Sequence, residues 1–443
     1  MHSNQVLTPN LQSLIKTATQ KHQQGQLKEA EFLYRKLLKT HLKLGNVYHL
    51  VLTDFGNVLQ KQGNLSEAIQ QYQQAIKIKP DFVQGYYNLA NALRRHGEII
   101  DAIEAYQQTL KLQPDFAIAY FYLASLFKAT DKIPEAIQAY TAGIKINPNV
   151  AAAYNNLGNI LKDAGDVKSA LECYKKAVQL RPNYAETYNN IGNILKDKDQ
   201  LEQAIEFYHK AIAANPNLAQ AYCNLGTTYR RQGLLEKAIT AYQQALKINP
   251  QFYEAAFGIC ISQLPIIYHS KEEINIRRDL YQQSLEKLAN PYQQLPSTEK
   301  ASAAIAVGTL QPFYLTYQGE NDRHLQQKYG EMIHQLMSCR YPEYSQILPP
   351  PKLQKGEKIR VGFVSGFFRN HSNWKIPIKG WVENLDKQQF QLYGYHTSAK
   401  TDSATQQAKL AFEKFIQGPL PLSQWCEKIK ADNLHLLIFP EFG

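Results

Sequence analysis

Two successive segments decide the fold of this chain: AAAYNNLGNILKDAGDVKSALECYKKAVQLRPNY (residues 151–184) and AETYNNIGNILKDKDQLEQAIEFYHKAIAANPNL (residues 185–218). Six prolines keep the same interval of 34 residues: Pro80, Pro114, Pro148, Pro182, Pro216 and Pro250. Alanines and tyrosines keep it as well: Ala68, Ala102, Ala136, Ala170, Ala204 and Ala238, with Tyr72, Tyr106, Tyr140, Tyr174, Tyr208 and Tyr242. An unbroken period of this length predicts helical hairpins that stack on their neighbours.

Each unit has the pattern of two packed helices. The first helix carries apolar residues three apart, such as Tyr154 and Leu157, followed by a small residue such as Gly158. Residues three and four apart share one helix face, so these positions line the seam between paired helices. The proline ends the second helix because it cannot donate the next hydrogen bond. We predict six such repeats over residues 49–252, and they resemble the tetratricopeptide repeat.

The rest of the chain departs from this period. Residues 1–48 hold one unit without a recurrent proline, with Ala30 and Tyr34, which we interpret as a degenerate N-terminal capping repeat. Residues 253–350 keep helical amphipathicity without a repeat and predict a helical connector. Residues 351–443 change to buried strands and helices. The predicted fold class is mainly α, with a repeat superhelix, the connector and an incomplete α/β lobe.

The last segment alternates strands with helices. Buried strands are predicted at residues 359–365, 390–396 and 434–439, and helices at residues 374–385, 403–415 and 422–431. Connections of this length predict a parallel sheet with right-handed crossovers. Three such strands make half of a doubly wound, Rossmann-like domain. We therefore expect a sheet with an uncovered edge or face, which opens more readily than the repeats and favours association.

The composition argues against several classes of protein. The net charge is +11, but the charges are scattered across the repeats without a basic run, so a nucleic-acid partner is not indicated. The five cysteines lie far apart, which predicts neither a zinc site nor a disulfide framework. The N-terminus lacks the apolar core of a signal peptide, and the apolar stretches are too short to span a bilayer. We expect a cytoplasmic protein without a membrane partner.

Asparagines recur in the first helices of the repeats: Asn88, Asn156, Asn190 and Asn224. Asp54 and Tyr122 take the same place in two other units, and a second set lies three residues later: Asn57, Asn91, Asn159 and Asn193. An asparagine side chain both donates and accepts, so a row on one face can hold an extended peptide backbone without reading its sequence. The alternative is that these side chains fill helix positions typical of the repeat and bond locally to the next helix. The sequence leaves both open.

A second candidate site follows the first predicted strand, where residues 361–372 read VGFVSGFFRNHS. Its glycines are four apart, so it is not a GxGxxG dinucleotide motif. The loop lies at the carboxyl end of a strand, where open α/β sheets bind ligands. His371 can exchange protons near neutral pH, although a lone loop histidine is more often a surface residue. Asp197 and Asp199 match a metal-binding DxD pair only superficially, because they fall in a turn between repeat helices.

Repeats, connector and C-terminal segment together resemble the bacterial O-linked N-acetylglucosamine transferases of the SPINDLY type, in glycosyltransferase family 41. The segments that carry the resemblance are QPFYLTYQGENDRHLQQKYG (311–330), IRVGFVSGFFRNHSNWKIPIKGW (359–381), YGYHT (393–397) and LLIFPEFG (436–443). The resemblance implies a two-lobed GT-B fold that moves a sugar from UDP-N-acetylglucosamine to Ser or Thr of proteins held by the repeats.

The same resemblance assigns roles to residues. It makes His371 a candidate catalytic base or acceptor-side contact, and it makes the recurrent asparagines a peptide-binding ladder: Asn88, Asn156, Asn190 and Asn224. In that family a second lobe binds most of the nucleotide sugar, and this sequence stops within the first lobe. We therefore expect no cofactor or metal site in this chain and no activity by itself, unless a separate second-lobe chain completes the fold. The alternative is a non-enzymatic peptide-binding scaffold; a complete small-molecule enzyme is disfavoured because no phosphate-cradling loop is present.

Overall fold

The computed structural model describes residues 8–39, 44–308, 312–345, 349 and 351–440. These residues form two compact units, Met1–Leu288 with Gly308–Glu320 and Ala289–Val307 with Asn321–Gly443. The first unit is a superhelical stack of helices, and the second adds a small parallel sheet to its helices. The fold class is mainly α, as the sequence predicts.

Fifteen α-helices lie within the described part of the first unit. They are α1 (Pro9–Gln23), α2 (Leu27–Leu38), α3 (Tyr48–Gln62), α4 (Leu65–Ile78), α5 (Val83–His96), α6 (Ile99–Leu112), α7 (Ala117–Ala129), α8 (Ile133–Ile146), α9 (Ala151–Asp163), α10 (Val167–Leu180), α11 (Ala185–Asp197), α12 (Leu201–Ala214), α13 (Ala219–Arg231), α14 (Leu235–Ile248) and α15 (Tyr253–Ile261). Helices α3 to α14 pair into six hairpins, one for each predicted repeat. The pair α1 and α2 precedes them, and α15 packs on α14.

Small residues explain the close packing inside each hairpin. The recurrent tyrosine of the second helix is fully buried, as Tyr174 is, and its ring lies beside the small residue of the first helix. A Cβ atom added to Gly158 would lie 2.6 Å from Cε1 of Tyr174. The ring therefore occupies the space that a side chain at this position would need. The recurrent proline lies two residues beyond the second helix, where it cannot interrupt helical hydrogen bonds.

The described part of the second unit contains five further helices, and a sixth, α16 (Lys271–Gln294), begins in the first unit and ends in the second. The five helices and the strands are α17 (Ser297–Ala303), α18 (Arg323–Arg340), β1 (Ile359–Ser365), α19 (Lys379–Asn384), β2 (Phe390–His396), α20 (Ser403–Ala411), β3 (Lys414–Gln417), α21 (Leu422–Ala431) and β4 (Leu436–Ile438). A π-helical turn, Trp374–Ile378, leads into α19. Within the described residues, no helix has both the length and the apolar character that crossing a membrane would require.

The four strands form one parallel sheet in the order β3-β2-β1-β4. The chain moves from β1 to β2 to β3 in one direction and then returns to place β4 on the other side of β1. This arrangement is the beginning of a doubly wound sheet, with its topological switch point between β1 and β4. Buried aromatic residues such as Phe363, Phe368 and Trp374 pack against one another in this unit.

The sequence analysis missed the strand β3. It predicted one helix over residues 403–415, whereas the structure ends that helix at Ala411 and begins a strand at Lys414. Phe415 pairs with Gly394 of β2, and a Cβ atom on Gly394 would lie 2.5 Å from Cδ2 of Phe415. The Phe415 ring thus has space because β2 carries a glycine at this position. Such a contact between distant segments cannot be seen in the local periodicity of the sequence.

The last predicted strand is shorter and more exposed than the sequence analysis expected. Residues 434–439 were predicted as a buried strand, but only Leu436–Ile438 pair, and 52% of the Leu436 surface is exposed. In the part of the chain that the structure describes, the strand β4 lies at the edge of the sheet and pairs only with β1. Beside it, the exposed Trp381, with Leu385, Leu436 and other residues, lines an open apolar cavity of 450 Å³. The prediction of burial was wrong because an edge strand has neighbours on one side only.

Candidate functional site

First helices of successive repeats contact one another at several places along the first unit. The helix α3 contacts α5, α11 contacts α13, and α13 contacts α15, although each pair belongs to successive repeats. Helices that lie closest together in a curved stack occupy its inner side. We call this side the first-helix face, and the asparagines predicted from the sequence belong to its helices.

The second set of asparagines binds the buried tyrosines within each repeat. The hydroxyl group of the tyrosine donates to the side-chain oxygen of the asparagine at 2.7–2.8 Å in four repeats: Tyr72 to Asn57, Tyr106 to Asn91, Tyr174 to Asn159 and Tyr208 to Asn193. A buried hydroxyl needs such a partner. Burial raises the pKa of these tyrosines, so the hydroxyl stays protonated and remains the donor. The role of this set is therefore structural.

The first set of asparagines connects each repeat to the one before it. Asn88 donates from Nδ2 to Asn57 at 3.0 Å, and Asn190 donates to Asn159 at 2.9 Å. Asn224 donates to Asn189 at 2.9 Å. Three of the four residues therefore make local bonds, although to the first helix of the preceding repeat and not to the next helix. Asn190 also donates its second N–H, to Asn155 at 3.2 Å, whereas Asn88 and Asn224 each keep a second N–H.

The four asparagines differ in exposure. Asn156 is exposed, and its side-chain oxygen accepts only a long contact of 3.4 Å from Asn155. Asn88 and Asn190 are half-buried, and Asn224 is buried, with 8% of its surface exposed. Asn156 is therefore the member most open to a ligand. Peptide binding by this row stays a prediction.

Five basic residues occupy one equivalent position near the end of the first helices, and the sequence analysis missed them as a group: Arg94, Lys128, Lys162, Lys196 and Arg230. We call them the basic row. They follow the first asparagine set by six residues and the second set by three, so they share the helix face of the second set. The charges that were described as scattered are thus ordered by the same 34-residue period. They can be found from the sequence by comparing equivalent positions across the repeats for charge as well as for apolar character.

The environment of Lys196 reflects this arrangement. Burial lowers the pKa of Lys196, and the positive charges of Arg231 and Lys162 lower it further, while Asp197 opposes the shift. Lys162 belongs to the preceding repeat and Arg231 to the following one. Charges from three successive repeats therefore act on one another along this face.

The second candidate site is the loop that joins β1 to the turn Trp374–Ile378. It leaves the carboxyl end of β1 beside the switch point of the sheet, where ligands bind in open α/β folds. The His371 ring stacks on Phe367, with ring centroids 4.2 Å apart. Its Nδ1 accepts a hydrogen bond from the Asn373 backbone N–H at 3.2 Å. In the neutral ring the proton therefore lies on Nε2, and His371 presents a donor.

Two residues from the neighbouring strand and helix hold this loop in place. The Asp402 carboxylate accepts the Asn370 backbone N–H at 2.7 Å and also caps α20. The first of these bonds is the main cause that lowers the pKa of Asp402. His396, fully buried at the end of β2, has one ring nitrogen 3.2 Å from the Ser365 carbonyl oxygen and the other 2.9 Å from that of Lys400.

These features limit the chemistry of the loop. A donor on Nε2 of His371 suits a hydrogen bond to a hydroxyl or phosphate oxygen better than proton abstraction. Among the described residues, no group of three His, Cys, Asp or Glu side chains is placed to hold a metal ion. Asp199, one of the DxD residues, has a left-handed backbone with φ of 62° and accepts a hydrogen bond from Arg231. It therefore acts as a turn residue that links two repeats.

Comparison with known protein families identifies the repeats. Residues 56–97 and 158–199 match the family described as TPR repeat, and residues 183–251 and 87–149 match families described as tetratricopeptide repeat. The 34-residue units are therefore tetratricopeptide repeats. No curated protein sequence matches the chain.

Several solved structures are similar to parts of this chain. The crystal structure of MamA is 27% identical, with a TM-score of 0.36, and the match covers 37% of this chain and 96% of MamA. YrrB, described as a TPR protein with an unusual peptide-binding site, is 25% identical, with a TM-score of 0.37 and coverage of 42% and 96%. A mutant of the Thermobaculum terrenum O-GlcNAc transferase is 17% identical, with a TM-score of 0.41, and the match covers 65% of this chain and 45% of that one.

Proposed function

We propose that the repeats hold extended polypeptide segments along the first-helix face, as the substrate-holding part of an O-GlcNAc transferase-like protein. The observation that carries this proposal is the row of side-chain amides on consecutive first helices. Asn88 uses one N–H to reach the preceding repeat, and Asn156 lies exposed. The remaining N–H and oxygen groups match the donors and acceptors of a peptide backbone.

A peptide-binding measurement tests this proposal. Fluorescent unstructured peptides of about 20 residues, diverse in sequence, are titrated with the chain and followed by anisotropy. The variant Asn156→Ala removes the exposed amide, and Asn149→Ala, in the turn after Pro148, is the matched control away from this face. We expect weaker binding of many unrelated peptides by Asn156→Ala and no change with the control. Equal binding by both variants would contradict the role of the amide row.

The second unit supports the transferase part of the proposal. The loop with His371 lies at the switch point of a parallel sheet, held by Asp402 and offering a donor from Nε2. We propose that His371 contacts the acceptor side of a sugar-transfer site, whose donor is a UDP sugar bound with the help of a second lobe in the same or a separate chain. The non-enzymatic scaffold is the alternative function.

Sugar transfer distinguishes the two functions. The chain is incubated with radiolabelled UDP-N-acetylglucosamine and a peptide that it binds, with and without an added second lobe of a family 41 enzyme. We expect labelled peptide only with the second lobe and only with His371 intact; the variant His371→Ala tests the latter. Peptide binding without labelling under either condition would favour the scaffold. Labelling of the peptide by the His371→Ala variant would contradict the role proposed for His371 in the loop.

A further inference from the structure

The basic row carries more positive charge than the surrounding side chains neutralise. Lys128 and Lys162 share one carboxylate, that of Asp163, at 3.8 and 3.4 Å. Among the described residues, Arg94, Lys196 and Arg230 have no ion pair with a carboxylate within 4.0 Å. The Nε atoms of Arg94 and Arg230 are buried without a hydrogen-bond partner. Positive charges in successive repeats thus lie near one another with few counter-charges.

The basic row adjoins the amide row. The guanidinium group of Arg94 lies 4.9 Å from the ring centre of Tyr122, which takes the asparagine position in the next repeat. Lys196 and Cys223, which directly precedes Asn224 in the next repeat, lie close enough for each to affect the pKa of the other. A chain lying along the amide row therefore passes beside the cations, and its side chains come within reach of them.

We propose that the first-helix face selects acidic extended polypeptide segments, with the basic row binding Asp and Glu side chains while the amides bind the backbone. This inference rests on the proposed polypeptide binding and adds the chemical class of the partner. Lysines and arginines alone would suit a nucleic-acid strand as well. The neighbouring amides, which match peptide groups, favour a polypeptide, and single-stranded DNA is one arm of the test.

The test compares peptides of equal length that differ only in charge. One has Asp or Glu at every third position, one has Gln or Asn there, and one has Lys. The double variant Lys162→Gln/Lys196→Gln removes two neighbouring members of the basic row. The matched control is Lys111→Gln/Lys145→Gln, which removes the same charge from exposed lysines in the last turns of the second helices α6 and α8.

We expect the acidic peptide to bind more tightly than the neutral one, and this preference to shrink as salt rises. The basic-row variant should lose about tenfold in affinity for the acidic peptide, since charged hydrogen bonds and ion pairs of this kind contribute modestly each. Its affinity for the neutral peptide and its thermal unfolding should stay unchanged. The control variant should bind all peptides like the unmodified chain.

Several results would overturn the inference, and they differ from failure of the proposed function. Equal affinity for acidic and neutral peptides, or an equal loss of affinity for the acidic peptide in both variants, would contradict the charge preference. Neither result would contradict polypeptide binding. Tighter binding of a 20-nucleotide single-stranded DNA than of the acidic peptide would assign the basic row to nucleic acid. Absence of binding to every peptide would refute polypeptide binding itself, and the inference with it.

Discussion

Replacing Asn190 by alanine should weaken the contact between two repeats, whereas the same change at Asn156 should not. Both residues take the same position in successive first helices, so the two variants differ only in what each side chain touches. Asn190 donates to Asn159 at 2.9 Å and to Asn155 at 3.2 Å. Among the described residues, the Asn156 side chain has only the long contact of 3.4 Å with Asn155.

The size of the effect follows from these bonds. A hydrogen bond of this kind contributes about 1 kcal/mol, and the acceptors of Asn190 keep other donors, Tyr174 and Thr187, when Asn190 is removed. The loss is therefore about 1.5–2 kcal/mol, offset by about 0.6 kcal/mol because alanine favours a helix more than asparagine does. The same offset applies to Asn156→Ala. We expect a net loss of about 1 kcal/mol for Asn190→Ala and a change within about 0.5 kcal/mol for Asn156→Ala.

Urea unfolding followed by circular dichroism measures the difference between the variants. Because repeat arrays can unfold in parts, hydrogen exchange of the amides in α9 and α11 is the better local measurement. Asn190→Ala should speed exchange in both helices, while Asn156→Ala should leave it unchanged. If the two variants unfold with equal free energy and exchange alike, the amide bonds between repeats contribute no stability, and our account of the first asparagine set is wrong.

Three further predictions concern other parts of the chain. Gly192→Ala should destabilise its hairpin by about 1–2 kcal/mol, because its Cβ would lie 2.6 Å from a buried tyrosine ring. Gly330 has open space around it, so Gly330→Ala should raise the melting temperature of the helix α18. The lowered pKa of Asp402 stabilises the loop above the ordinary pKa of Asp, about 4, and this contribution is lost as the pH falls through the lowered value. The protection factor of the Asn370 amide, which is its exchange rate relative to the intrinsic rate at the same pH, should therefore fall only in acid, and a protection factor that stays constant down to that pH would contradict this. The edge strand Leu436–Ile438 should exchange its amides faster than any first helix of the repeats, and equal protection in a monomer would refute that expectation.

The repeats could be predicted closely from the sequence because their contacts are local. A tyrosine such as Tyr174 meets Gly158 and Asn159 of its own hairpin, so one 34-residue pattern contains both partners. The sheet was harder to predict because its contacts join distant segments. The strand β3 depends on the space above Gly394, and the exposure of Leu436 depends on its place at the edge.

The candidate sites were predictable to different degrees. The position of the His371 loop at the end of β1 follows from the strand pattern alone, but the bond from Asn373 that sets its proton on Nε2 does not. The periodicity places Asn190 on a shared face, yet it cannot tell whether the amide faces solvent or the preceding repeat. That choice depends on whether the neighbouring unit supplies an acceptor such as Asn159. Residue type alone therefore does not decide whether these asparagines bond locally or bind a ligand.

The bonds between repeats give each unit two unlike ends. Asn159 is an acceptor that faces the unit after it, and Asn190 is the donor that meets it, as Asn57 and Asn88 are in an earlier pair of units, so units joined in this way have matching ends. Tyr122 and Ser125 take the two asparagine positions in another unit. There the Tyr122 ring stacks on Tyr106, and the guanidinium group of Arg94 lies over the Tyr122 ring. Gene duplication or shuffling could therefore lengthen the array next to Asn190 without a mismatch, whereas the unit with Tyr122 has to be inherited together with its N-terminal neighbour.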